Sequence, residues 1–222
     1  MTVTFYNFNY TSYRQPLPNF VLTSGTKAPV YGAGPSSYPP SINWTGIQNL
    51  SADDAFREVS GFPFTFKYAG SSYTNVFVGS NSYLTYGAGS TVFNLLSASN
   101  PAVNKIFLGS GDNSYQRVSH FISSDYVRIR YEGNGGTSGT VGNPGIVYEA
   151  TLFNPSKTNG NNVVEVLVGK HNRTAGLFGA ANVQYYLAQS TISANQSYVF
   201  VGNDTGTAFT LYSGYYMAGT DY

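Results

Sequence analysis

The chain has 222 residues, of which only 9% are charged, against about 25% in an ordinary soluble domain. Eleven Lys and Arg against ten Asp and Glu leave a formal net charge of +1, which excludes a basic nucleic-acid platform built on bulk charge and an acidic solvating tail. Cysteine is absent, so disulfides, thiolate zinc sites and cysteine nucleophiles are excluded, while 20 Tyr, 15 Phe and 25 Gly make a composition of strands and turns.

This length suits one large β domain, or one domain carrying an arm. Residues 1–48 read as the arm. Val3, Phe5, Phe8 and Tyr10 alternate with a shift of parity, and six of the ten prolines follow, at 16, 18, 29, 35, 39 and 40. The start has neither the basic segment nor the apolar core of a signal peptide, and no apolar run reaches the ~18 residues of a membrane span. We expect synthesis in a cytosol and no membrane partner.

A domain over residues 49–222 follows. Ser51 is placed to cap a short helix through Ala52 to Val59, with Asp53 and Asp54 in its first turn and Gly61 at its end. Beyond it the pattern is β. Phe62, Phe64, Phe66 and Tyr68 alternate, with Pro63 marking an edge or a start. Val127, Ile129 and Tyr131 alternate with Arg128, Arg130 and Glu132, which with Asp125 predict mixed charge on a solvated sheet face, worth at most about 1 kcal/mol per cross-strand pair. Under a partner, the same charges would set register and specificity instead. Residues 146–153 and 163–168 are strong strands, and three short strands near Tyr185, Tyr198 and Phe209 close the series. The prediction is an all-β chain: an antiparallel sandwich, jelly-roll-like, with one short helix and an extended N-terminal arm. Three apolar residues followed by Gly recur at Val76–Gly79, Ile106–Gly109, Val166–Gly169 and Val199–Gly202, read as buried strands with a sharp exit at glycine.

Catalytic clusters are not evident. His120 and His171 stand alone, and alternation is read as placing His120 on a polar, solvated face. No Gly-x-Ser-x-Gly elbow occurs, and Gly133–Gly139 lacks the lysine and helix of a phosphate loop. Gly111-Asp-Asn-Ser114 reads as a turn with an Asx hydrogen bond, or as oxygen ligands for calcium. We expect no enzyme activity, no cofactor and no resident metal. Aromatics remain: Phe5, Phe8, Tyr10, Trp44, Tyr215, Tyr216 and Tyr222 lie outside what the strands need and are the interface candidates. Low charge with 16% aromatic residues fits a surface packed against copies and neighbours.

Gly61-Phe-Pro-Phe-Thr-Phe and Tyr73-Thr-Asn-Val-Phe-Val-Gly-Ser-Asn-Ser-Tyr-Leu-Thr-Tyr-Gly87 resemble a β module of tailed-phage virion structural proteins, especially of marine and cyanobacterial phages. Gly111-Asp-Asn-Ser-Tyr, Val127–Gly133 and Ile146–Glu149 continue it, so the resemblance spans about residues 61–170. The Asn-Ser-Tyr-Leu-Thr-Tyr-Gly core is also similar to extracellular nidogen-type domains, against which the missing signal peptide and cysteines weigh. The first resemblance implies a non-enzymatic virion protein, a capsid decoration or a tail or fibre component, binding other virion proteins and copies of itself. The alternatives are a carbohydrate-binding module or adhesin that takes a surface glycan, and a glycoside hydrolase or depolymerase using two of Asp112, Asp125, Glu132, Glu149 and Glu165.

Overall fold

Period-two alternation becomes strand through most of the chain. The structure, a computed structural model, describes residues 2–4, 21–25, 27, 45–46, 54–92, 104–110, 115–133, 145–171, 177–181 and 193–218. In chain order the strands are β1 (Thr2–Thr4), β2 (Val21–Ser24), β3 (Thr45–Gly46), β4 (Phe56–Ser60), β5 (Phe66–Tyr68), β6 (Ser71–Tyr73), β7 (Asn75–Gly79) and β8 (Tyr83–Tyr86). They continue as β9 (Asn104–Ser110), β10 (Tyr115–Ile122), β11 (Tyr126–Gly133), β12 (Ile146–Phe153), β13 (Asn162–His171), β14 (Leu177–Ala181), β15 (Gln196–Gly202), β16 (Phe209–Ser213) and β17 (Tyr215–Met217).

Two sheets make the sandwich. The larger runs β16-β15-β13-β12-β11-β10-β3, the smaller β14-β9-β8-β7-β4, with neighbours antiparallel throughout. Alternation decides which side chains meet between them. Ile129 and Tyr131, Ala150 and Leu152, and Val164 and Val166 join Val76, Val78, Leu84, Ile106 and Leu108 in one fully buried core. Each such aliphatic side chain contributes about 1.5–3 kcal/mol on leaving water. The β5–β6 hairpin closes one end with Phe66 and Tyr68. An all-antiparallel sandwich is therefore the architecture, as expected.

A third layer lies outside the larger sheet. β2 runs between β1 and β17 in a three-stranded sheet. Leu22 and Met217 of this layer pack with Phe153, Val163 and Val199 in a small cluster separate from the main core. Part of the N-terminal arm is thus strand, folded on its own domain.

The short helix is not formed at its C-terminal half: Phe56–Ser60 is the edge strand β4, registered residue by residue against Gly79–Asn75. The Ala55 N–H and C=O are both committed to Ser80, at 2.9 Å and 2.8 Å, and Asp54 has a φ of 50°, so the backbone cannot propagate a turn there. Ladder pairing, with Val59 opposite Val76 in the core, outweighs the local capping signals. Phe62 and Phe64 are buried as the alternation predicts, but only Phe66–Tyr68 of that run is strand.

The apolar-apolar-apolar-Gly pattern also has a different cause. Neither Gly79 nor Gly202 has a positive φ, and Gly169 lies inside β13. A Cβ at Gly79 would sit 2.6 Å from Cζ of Tyr83, and one at Gly202 would sit 2.6 Å from the Phe209 ring and 2.8 Å from the Asn162 carbonyl. These glycines leave room for an aromatic ring laid across the neighbouring strand, not for a chain reversal.

Candidate functional site

The outward face of the larger sheet carries the chain's concentrated polar chemistry. Arg128, Arg130 and Glu132 leave β11 on this face, Glu149 and Thr151 leave β12, and Glu165 leaves β13. All are buried, Arg128 and Glu165 completely. Glu149 lies between the two guanidiniums, with Oε1 3.3 Å from Arg128 Nε and Oε2 3.3 Å from Arg130 Nη1. Arg130 also reaches Glu132 at 3.2 Å, and Arg128 Nε donates to Thr151 Oγ1 at 3.1 Å. The Arg128 guanidinium stands 4.7 Å from the centre of the Tyr126 ring. Burial pushes the Glu149 carboxyl above its ordinary pKa, while Arg128, Arg130 and then Lys27 pull it back. The expected solvated face is thus corrected: these are desolvated ions in a layered structure, and Asp125 is apart from them, paired with Lys157 at 3.4 Å near solvent.

The outer layer is tied to this face through polar groups. Glu165 Oε1 accepts the Met217 N–H at 2.6 Å. Ser197 Oγ donates to the Gly25 carbonyl at 3.2 Å, and the Gly25 N–H donates to the Gly214 carbonyl at 2.8 Å. Tyr212 and Tyr215 meet edge to face at 5.8 Å and 74°, and Lys27 Nζ lies 5.5 Å from the centre of the Tyr216 ring. Burial, with Tyr215 beside it, raises the Tyr212 pKa. All three tyrosines are half-buried, beside β16, which forms one edge of the larger sheet. The 74° angle between two of the rings does not make a flat stacking platform for a sugar.

Of the interface candidates, Tyr215 and Tyr216 are neighbours on β17 and leave it on opposite faces, Tyr215 toward Tyr212 and Tyr216 toward Lys27. Phe5, Phe8, Tyr10, Trp44 and Tyr222 lie outside the described residues, as do the Gly111–Ser114 loop and the strand expected near Tyr185. Sequence reasoning missed Tyr212, Lys27 and the anchoring role of Glu165. A lone carboxylate in the apolar run Val163–Val168 was the signal for the last, because a charge in a strand buried on both faces must have a partner.

His120 is a correction. It shares a face with Val118, stands between Ile129 of β11 and Thr45 of the short edge strand β3 in the ladder, and is half-buried rather than solvated. Its Nδ1 is buried with no hydrogen-bond partner among the described residues, and burial lowers its pKa. On the smaller sheet's outer face, Lys105 is buried with Nζ 3.1 Å from Ser90 Oγ and 5.0 Å from the centre of the Tyr83 ring. Burial lowers its pKa too. Among the described residues no group of three or more His, Asp and Glu could hold a metal ion.

Fold and surface together define the class: an all-antiparallel β-sandwich module with an added outer layer in which strands from both ends of the chain pair. A family model described as NIDO related matches residues 31–169, well over half of the 222-residue chain, and the chain belongs to that family. The match runs from within the arm into β13 and bears on the nidogen-type similarity read from the sequence. No curated protein and no solved structure matches the chain.

Proposed function

We propose that this chain is a non-enzymatic structural protein that assembles with copies of itself and with neighbouring proteins, as a surface accessory of a phage virion. The observation that carries the assembly reading is the set of half-buried tyrosines at the edge strand β16, Tyr212 meeting Tyr215 edge to face and Tyr216 on the opposite face of β17, where strands from both chain ends meet. Half-buried tyrosines supply contact area with a polar tip, and an edge strand supplies main-chain pairing, the two resources that protein interfaces use most. The virion assignment rests on the resemblance of residues 61–170 and is the finer part of the proposal.

Immunogold microscopy of purified particles, with antibody to this chain, tests it. Label on the head supports decoration, and label along the tail supports a tail or fibre component. Absence from both intact and disrupted particles overturns the virion assignment. Sedimentation of the purified chain tests the broader reading, which predicts association that Tyr216→Ser weakens. A chain that stays monomeric up to about 1 mM, the effective-concentration range of a short tether, would overturn it.

A further inference from the structure

The outer layer is attached differently from the rest of the fold. The two sheets of the sandwich share a large, continuous apolar core, whereas β2 brings one described side chain, Leu22, into a separate cluster of five buried residues. Among the described residues, its other contacts include the main-chain ladder with β17, the Ser197–Gly25 and Gly25–Gly214 hydrogen bonds, and Lys27 beside the Tyr216 ring. On the face beneath, among the described residues, three buried carboxylates (Glu132, Glu149, Glu165) meet two buried guanidiniums (Arg128, Arg130). Lys27 brings a further cation, and its charge is felt at Glu149. Such a contact has the make-up of a protein–protein interface laid within one chain.

The tether permits more than one destination. Residues 28–44 separate the segment 21–27 from β3, and 17 residues span at most about 56–61 Å when extended. A folded chain of this length has a radius of gyration of roughly 17 Å. The segment 21–27 can therefore reach the same groove on an adjacent copy. A tether of this size holds its own arm at an effective concentration in the millimolar range, so exchange is suppressed in dilute solution and favoured where copies are crowded.

We propose that the β2 segment, residues 21–27, is an exchangeable arm: in the assembled state it pairs with β17 of a second copy and sets Lys27 over that copy's charged face. This rests on the assembly reading above and names its partner and its contact. The arm of one copy then completes the outer layer of the next, and the Lys27–Tyr216 contact is built from two chains.

The absence of cysteine makes the test direct. Ser24 and Tyr215 stand opposite each other in the β2–β17 ladder, and a cysteine pair there keeps the Tyr216 ring beside Lys27. A Ser24→Cys, Tyr215→Cys double variant, joined by oxidation or a short thiol cross-linker in dilute solution, reports the pairing within one chain. An isotopically heavy Ser24→Cys chain and a light Tyr215→Cys chain are then mixed at about 1 mM and joined in the same way. Exchange predicts a mixed dimer well in excess of either like dimer by mass spectrometry, with a several-fold loss when Lys27→Glu is added to the heavy chain. Like and mixed dimers in random proportion, or no dimer, would overturn the proposal. An unchanged yield with Lys27→Glu would overturn the role given to Lys27. Association seen by sedimentation without an excess of mixed dimer ends the arm exchange and leaves the assembly reading standing. A chain monomeric at that concentration ends both.

Discussion

Two tyrosines stacked on each other should respond in opposite senses to the same chemical change. Tyr68 and Tyr86 lie 4.7 Å apart with their rings 15° from parallel, both buried, with Phe66 stacked on the far side of Tyr86 at 5.7 Å. The Tyr68 hydroxyl donates to the Lys105 carbonyl at 2.5 Å. The Tyr86 hydroxyl is buried with no hydrogen-bond partner among the described residues, and burial, with Tyr73 next, pushes its pKa well above the ordinary tyrosine value. Removing a hydroxyl that is buried and unsatisfied returns a desolvation cost of about 1–3 kcal/mol, less a small loss of packing where the oxygen stood. Tyr86→Phe should therefore stabilise the fold by about 1 kcal/mol, raising Tm by roughly 2–4 °C for a chain of this size. Tyr68→Phe removes a satisfied donor and should destabilise by about 1 kcal/mol. Calorimetric or circular-dichroism melts of the two variants and of the double variant measure both. If Tyr86→Phe lowers Tm as much as Tyr68→Phe does, the Tyr86 hydroxyl has a partner and the reasoning fails.

Gly206→Ala should cost several kcal/mol, because a Cβ there would overlap the Lys67 carbonyl and its φ is +67°; urea unfolding with no shift of midpoint would contradict this. Asn162 is buried and joins two hairpins, accepting the Lys67 N–H at 2.7 Å and donating to the Asn203 carbonyl at 2.7 Å. Asn162→Ala should cost about 1–3 kcal/mol in the same assay, chiefly from the Lys67 N–H losing its acceptor, since the Asn203 carbonyl keeps the Gly206 N–H. His120 has a folded pKa below its unfolded value, so the unfolded chain binds the proton first and stability is lost as pH falls through about 6.5. His120→Gln should flatten that loss between pH 7 and pH 5; identical pH profiles for variant and wild type would show that His120 carries no linkage.

How far the sequence could be read depended on whether local pattern and tertiary context agreed. The strands at 126–133, 146–153 and 162–171 were legible because alternation or an unbroken apolar run admits few other structures. The segment 56–60 was not, because Ser51, Asp53 and Asp54 supply helix-start chemistry locally while the pairing that overrides it comes from Asn75–Gly79, some twenty residues on. Arg128 and Arg130 looked solvated because alternation reports which face a residue takes and never what lies over that face. The outer layer was half legible: surplus aromatic residues marked Tyr215 and Tyr216, but the pairing of β17 with β2 joins positions nearly two hundred residues apart that no local pattern connects.

The charged layer is better understood as a register device than as a source of stability. A slip of β11 by one residue would drive Arg128 and Arg130 into the main core and turn Ile129 and Tyr131 outward, so the alternative pairing is penalised far more than the correct one is rewarded. Buried ion pairs seldom outweigh their own desolvation, yet breaking one strands the charge left behind. Glu149→Gln, which removes the carboxylate lying between the two buried guanidiniums, should therefore cost about 3–5 kcal/mol. Replacing the set together, as Arg128→Met, Arg130→Met, Glu132→Gln and Glu149→Leu, should recover most of that loss in the same unfolding assay. A fourfold variant no more stable than Glu149→Gln would mean that the ions hold the sheet together energetically, and the register argument would have to be abandoned.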